Sequence, residues 1–145
     1  TTDISAGQLI DRTGQLLGLP FPSGKYLDQT SKTAVKKDVF RVKCKDSDFS
    51  LSGIQNKVQQ YYQQCSSDDE TAAYCLRCII GAIRCATVNA IEKHGSLPVL
   101  FSGGVASNSL LRTQLADLSP IFAQSVFSTD NAMGVAVIAK RILEA

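Results

Sequence analysis

Apolar residues first recur at helical spacing. After Asp3-Ile4-Ser5-Ala6, the residues Leu9, Ile10, Leu16 and Leu17 fall on one side of a helix that Gly18 and Pro20 end. Pro20-Phe21-Pro22-Ser23-Gly24 then reads as a rigid turn, because proline fixes φ and glycine permits conformations and close approaches that a Cβ forbids. Further on the period shortens to two: residues 38–42 and 48–52 alternate polar with apolar and predict a β-hairpin. Gly53 turns the chain into a helix over residues 54–64. Ser67-Asp68-Asp69-Glu70 is a capping-box signature, and Ala72, Leu76, Ile79, Ile80, Ile83, Thr87 and Ile91 continue at helical spacing to His94-Gly95, the longest helix expected. The remainder alternates: strand 97–101, helix 108–118, strand 121–127 and helix 130–143. That order is the βαβα of a parallel sheet covered by helices.

Composition supports an ordinary globular chain. With 145 residues, 44% hydrophobic and 19% charged, it suffices for one core and is read as a single domain over residues 1–145. The net charge is +2, and the cations Lys32, Lys36, Lys37, Arg41, Lys43 and Lys45 cluster. They are either a solvated loop and strand edge or a surface for RNA phosphates. No apolar stretch approaches the roughly 20 residues of a membrane span, and no basic segment precedes an apolar one at the N-terminus. A cytoplasmic protein with no membrane partner is expected. Five cysteines, an odd number, suit a reducing compartment better than a disulfide framework. Cys75, Cys78 and Cys85 fall close to one face of the long helix and, without a second ligand pair at finger spacing, read as small hydrophobes rather than as a zinc or redox site.

Three segments can carry chemistry. Pro98-Val99-Leu100-Phe101-Ser102-Gly103-Gly104-Val105-Ala106-Ser107-Asn108 runs from an apolar strand through two glycines into a helix. There backbone N–H groups and a helix N-terminus can meet an anion or nucleotide, or the glycines simply make a tight turn. Val126-Phe127-Ser128-Thr129-Asp130-Asn131-Ala132 puts Asp130 before a helix, as a cap or as a metal ligand. Asp11, one helical turn after Gly7, can hold the hydroxyls of a ribose beside the turn Phe21-Pro22-Ser23-Gly24 and Asp28, or can be an ordinary surface carboxylate. His94, the one histidine, suits a helix C-terminus. No Ser-His-Asp set and no phosphate-binding Gly-x-x-x-x-Gly-Lys motif is present.

In this order the segments resemble the TsaD family, which includes proteins once called O-sialoglycoprotein endopeptidases. Asp3 to Leu19 resembles the family's helix with a Gly-Glu-x-x-Asp core, and Pro20-Phe21-Pro22-Ser23-Gly24 its Tyr-Pro-Gly-Gly turn. Phe49-Ser50-Leu51-Ser52-Gly53 resembles its Phe-Ser-Phe-Ser-Gly hairpin, Ser102 to Asn108 its Ala-Gly-Gly-Val-x-x-Asn loop, and Ser128-Thr129-Asp130-Asn131 its Cys-Thr-Asp-Asn motif. The resemblance implies an α/β fold, the C-terminal subdomain of an actin-like (ASKHA) ATPase with a mixed sheet covered by helices. It implies transfer of threonylcarbamoyl from an adenylate to the exocyclic amine of a tRNA adenosine. Asp11, Gly24, Asp28 and Asn108 match positions that hold the adenylate, Gly103 and Gly104 the loop against which an adenine nucleotide packs, and Asp130 a ligand of a divalent metal, iron or zinc. No catalytic residue is assigned.

The resemblance also implies partners: an N-terminal half carrying a His-x-x-x-His motif, tRNA, and TsaB-like and TsaE-like subunits. The chain has one histidine, so the metal site closes only with residues outside it. Gln8 stands for the usual Glu, Ser23 for a Gly and Ser128 for a Cys, marks of a divergent paralogue. The competing readings are a glycoprotease-type metalloendopeptidase, a non-catalytic TsaB-like scaffold and, on architecture alone, a sugar or acetate kinase.

Overall fold

The computed structural model describes residues 1–95, 97–128 and 132–144. In chain order the elements are α1 (Ala6–Leu16), α2 (Gly24–Thr30), β1 (Cys44–Lys45), β2 (Asp48–Phe49), α3 (Ser52–Cys65), α4 (Asp68–His94), β3 (Leu100–Phe101), α5 (Ser109–Gln114), β4 (Ile121–Phe122), α6 (Ser125–Ser128) and α7 (Ala132–Leu143). Single 3-10 turns follow α2, precede α5 and follow α5. Among the described residues the chain is thus a helix-rich α/β structure with two small sheets. Helix α2 is absent from the sequence reading, which stopped at the turn.

Helix α4 is the axis of the core. Its residues Leu76 and Ile79 are buried with Leu9 and Ile10 of α1, Leu27 of α2, Ile54 and Val58 of α3, and Leu111 of α5. Each such side chain contributes roughly 1.5–3 kcal/mol on leaving water, so the docking of four helices on α4 dominates the packing. Contrary to the sequence expectation, α4 is long and apolar enough to cross a membrane by length and composition. Here its apolar residues from Ala72 to Ala82 serve the core instead.

Helix starts follow local chemistry. Ser5 and Gln8 form a reciprocal capping box on α1: Gln8 N–H donates to Ser5 Oγ at 3.1 Å, and Ser5 N–H to Gln8 Oε1 at 2.9 Å. Gln8 therefore performs the capping that a Glu would. At α4 only half the predicted box exists. Ser67 Oγ accepts the Glu70 N–H, but the Glu70 carboxylate reaches away to the N–H groups of Val35 and Lys36 at 2.9 and 3.0 Å.

The hairpin is displaced from its predicted first arm. Strand β1 pairs antiparallel with β2, Cys44 opposite Phe49 and Lys45 opposite Asp48. Asp46 turns the chain at φ 54, a left-handed conformation that Asp tolerates. Residues 38–42 run along α4 instead, with Phe40 N–H donating to Cys78 Sγ at 3.3 Å.

Strands β3 and β4 are parallel, Leu100 beside Ile121 and Phe101 beside Phe122, as the βαβα order requires. Strand β3 ends at Phe101 as predicted, ahead of Gly103 at φ 98, but begins only at Leu100, and β4 stops at Phe122. The last ladder bond, Ala123 N–H to Phe101 O at 2.9 Å, leaves residues beyond 123 without a partner strand, and 125–128 coil into α6. The predicted helix 108–118 likewise divides into α5 and the 3-10 turn Ala116–Leu118. Phe101 and Phe122 face the core, whereas Leu100 and Ile121 remain largely exposed. Helix α7 does not cover them: every residue from 134 to 144 is exposed, including Val135, Ile138 and Ile142. An apolar helix of this kind ordinarily lies against something.

Candidate functional site

Asp11, on α1, reaches across to the start of α2. Its Oδ1 accepts the Ser23 N–H at 2.8 Å, and the Ser23 hydroxyl donates to the Pro20 carbonyl at 3.1 Å. Ser23 is buried against Gly14, where an added Cβ would lie 2.1 Å from Ser23 Oγ. Ser23 is thus accommodated by a glycine on the facing helix. One Asp11 oxygen makes no hydrogen bond to a described residue.

Asp28 joins segments far apart in sequence. Its Oδ2 accepts the Ser109 N–H at 3.0 Å and its Oδ1 the Ser109 hydroxyl at 2.9 Å. Ser109 is the first residue of α5 and Asn108 its N-cap, so this bond brings α2 to the end of the double-glycine loop. Asn108 is buried, and its Oδ1 accepts the Leu111 N–H at 2.9 Å, leaving the amide Nδ2 unbonded to any described residue. Beside it the buried Ser107 Oγ has no hydrogen-bond partner among the described residues.

The glycines differ in what they require. Gly103 needs its missing Cβ for backbone reasons, at φ 98. Gly104 has an ordinary φ of -58, and a Cβ at Gly104 or Gly24 would meet no atom within 4 Å. At those two positions neither φ nor a protein neighbour demands glycine, and the space beside the backbone is open.

The structure therefore brings Asp28 to α5 beside Asn108 and ties Asp11 to the residue before Gly24, while Gly103 and Gly104 lie one 3-10 turn before Asn108. Asp130 lies outside the described residues. Among the described residues no three His, Cys, Asp or Glu side chains gather as a metal site. The residues described do not fit a metal by themselves. Cys75 and Cys78 are buried, Cys75 against Thr13 Oγ1 at 3.2 Å, and burial pushes the Cys75 thiol up to about 12 and the Cys78 thiol upward. They pack as hydrophobes. His94 ends α4 as expected. Neither of two clefts, of about 400 and 300 Å³, is lined by Asp11, Gly24, Asp28, Gly103, Gly104 or Asn108.

Sequence reasoning missed Asp3, Gly14 and Ser109. Asp3 is the most connected: its carboxylate accepts from Ser50 Oγ at 2.5 Å, Leu51 N–H at 2.8 Å and Ser52 N–H at 3.1 Å, tying the start of the chain to the head of α3. The Ser50 hydroxyl and then those N–H groups hold its carboxyl well below the usual carboxylate range. An Asp three residues before a helix gave no sign of so distant a partner.

Comparison with known proteins adds the following. The family model TsaD, tRNA N6-adenosine threonylcarbamoyltransferase, matches residues 1–137. A tRNA N6-adenosine threonylcarbamoyltransferase of Oenococcus oeni is 34% identical over 128 residues, 82% of this chain and 37% of that protein. One of Dehalococcoides mccartyi is 31% identical, over 94% of this chain and 44% of the relative. One of Prosthecochloris aestuarii is 30% identical, over 99% and 49%. The chain spans less than half the length of these curated relatives.

Proposed function

The chain belongs to the TsaD family of tRNA N6-adenosine threonylcarbamoyltransferases, and from that premise we propose that it is the adenylate-holding half of such a transferase. The observation that carries this reading is the Asp28–Ser109 pair, which draws α2 and the double-glycine loop to one place. There the open space beside Gly24 and Gly104 leaves room for a ligand, the buried Ser107 Oγ has no partner among the described residues, and Asn108 Nδ2 makes no hydrogen bond to one. Backbone N–H groups of Gly103 and Gly104 hold the phosphate and Asn108 donates to the adenylate, while the carboxylates of Asp11 and Asp28 accept from ribose hydroxyls. Donors fixed before the ligand arrives stabilise charge without reorganising.

The remaining length of the relatives supplies the rest. It covers the exposed apolar surface of Leu100, Ile121 and α7 and completes an actin-like fold of which this chain is the C-terminal subdomain. Two histidines from that length, together with Asp130, would hold iron or zinc, which would supply a Lewis acid beside the acyl group. The intact protein works on tRNA in the cytoplasm, with TsaB-like and TsaE-like subunits as partners. Gln8 and Ser23 have structural roles, capping and turn packing, so neither departure favours an inactive scaffold.

Calorimetric titration with AMP and ATP tests the pocket, on the chain alone and mixed with the N-terminal half of a relative. The informative variant is Asn108→Asp, which keeps the oxygen that caps α5 but replaces the amide donor with negative charge. Its nucleotide affinity should fall more than about tenfold, one hydrogen bond's worth or more, with unchanged helix content. Absence of nucleotide binding in both formats, or an Asn108→Asp variant that binds as well, refutes the site.

A further inference from the structure

The basic cluster has a geometry that the proposed adenylate site does not use. Residues 36–46 are held along α4 by four contacts that follow one another in chain order. Arg77 donates to the Lys36 carbonyl, Phe40 N–H to Cys78 Sγ at 3.3 Å, Cys44 Sγ to the Ala82 carbonyl at 3.6 Å, and Asn89 Nδ2 to the Asp46 carbonyl. Glu70 fixes the near end through the N–H groups of Val35 and Lys36. From Glu70 to Asn89 the helix runs about 28 Å at 1.5 Å per residue.

The pleat of the strap sorts its side chains. Val42 and Cys44 turn toward α4 and are half-buried, whereas Arg41, Lys43 and Lys45 are exposed. Alternate residues of an extended chain lie about 6.6 Å apart, so these three form a regular row of cations, which Lys36 and Lys37 lengthen. None of the five is in an ion pair among the described residues, although Arg77 and Arg84 of α4 both are. The carboxylates of the segment are engaged or lie at its ends: Asp38 accepts from Tyr61 OH at 2.8 Å, Asp46 lies in the hairpin turn, and Asp48 stands across the hairpin from Lys45 without forming an ion pair with it. No carboxylate interrupts residues 39–45. Phe40, on the other side of the pleat from Arg41 and Lys43, is partly exposed with Lys57 near its ring, an aromatic group beside the row on which an unpaired base can stack.

We propose that residues 36–45 form a landing ridge for the sugar–phosphate backbone of RNA. The choice of RNA over another polyanion rests on the tRNA reading above. A row of unpaired cations on a strap fixed by its own backbone loses little freedom when phosphates replace its counterions, and it reads backbone rather than bases.

The test is fluorescence anisotropy of the 145-residue chain with an unmodified tRNA transcript, between about 50 and 200 mM salt. The logarithm of affinity should fall linearly with the logarithm of salt. The triple variant Arg41→Gln/Lys43→Gln/Lys45→Gln should bind at least about tenfold more weakly, with a slope reduced by about 2. The control Lys93→Gln/Lys140→Gln/Arg141→Gln removes equal charge elsewhere and should leave the slope near that of the parent, and Lys43→Arg/Lys45→Arg should retain binding. Equal losses in the two triple variants would make the effect one of net charge and overturn the ridge. So would absence of RNA binding at low salt, or binding of vesicles rich in phosphatidylserine in preference to tRNA. AMP titration of the same triple variant separates the proposals: a chain that binds AMP but not RNA keeps the pocket and loses the ridge, and the reverse result does the opposite.

Discussion

The contact between Gly14 and Ser23 can be tested by adding a single methyl group. A Cβ at position 14 would lie 2.1 Å from Ser23 Oγ and 2.2 Å from Ser23 Cβ. Ser23 cannot swing aside cheaply, because it is buried and its N–H is held by the Asp11 carboxylate at 2.8 Å. Overpacking of this kind costs about 1–3 kcal/mol, and displacing the charge-assisted bond adds about 1.5–3 kcal/mol where it breaks. Against this, Ala in place of Gly inside a helix gains up to about 1 kcal/mol. Gly14→Ala should therefore lose about 1–3 kcal/mol net. In a Ser23→Gly background the nearest remaining atom is the residue 23 Cα at 3.6 Å, an ordinary contact, so the same substitution should stabilise by up to about 1 kcal/mol. Urea unfolding of the four proteins of this double-mutant cycle measures the coupling, expected at about 1–4 kcal/mol. A Gly14→Ala effect of the same sign and size in both backgrounds would refute the steric account, and with it the reason that a serine is tolerated in this turn.

Three further outcomes are expected. Asp28→Ala, which leaves Ser109 N–H without its acceptor, should cost about 1–2 kcal/mol in urea unfolding and weaken AMP binding, whereas Ser109→Ala should lose less because the backbone bond survives. Glu70→Ala removes the acceptor for Val35 and Lys36 and the partner of Arg77 at 4.0 Å. It should cost about 2–4 kcal/mol and increase proteolytic cutting within residues 36–46, while Glu70→Gln, retaining a carbonyl oxygen, should lose less. For Cys75, burial raises the folded thiol from 9.0 to about 12, so its contribution to stability is complete below pH 9.0 and is lost as pH rises toward 12. Thermal unfolding against pH should show that alkaline fall reduced in Cys75→Ala, and an identical fall in both proteins would rule out the assignment.

How much of this was legible depended on the range of the physics involved. The helices α1, α3 and α4 declared themselves through apolar period and caps, and the parallel pairing of β3 with β4 followed from their order. Helix α2 was hidden because Gly24-Lys25-Tyr26-Leu27-Asp28-Gln29-Thr30 buries only Leu27 and shows no period. The hairpin was misregistered because residues 38–42 alternate as well as a strand does, but their partner is a helix. At the site, the residue types were readable and their engagements were not: nothing local distinguishes Asp28, bonded 81 positions away, from any helical Asp. Gly14 looked like an unremarkable helical glycine until Ser23 was found against it.

The Asp28–Ser109 pair makes one amide proton an internal gauge. Ser109 N–H belongs to the first turn of α5, where amides have no helical acceptor and exchange quickly with solvent. Here its acceptor sits on another helix, so its exchange is as slow as the separation of α2 from α5 is rare. A deuterium-exchange time course at this position would report how often the two halves of the proposed pocket part company. A ligand that bridges them would slow the exchange without touching Ser109 itself.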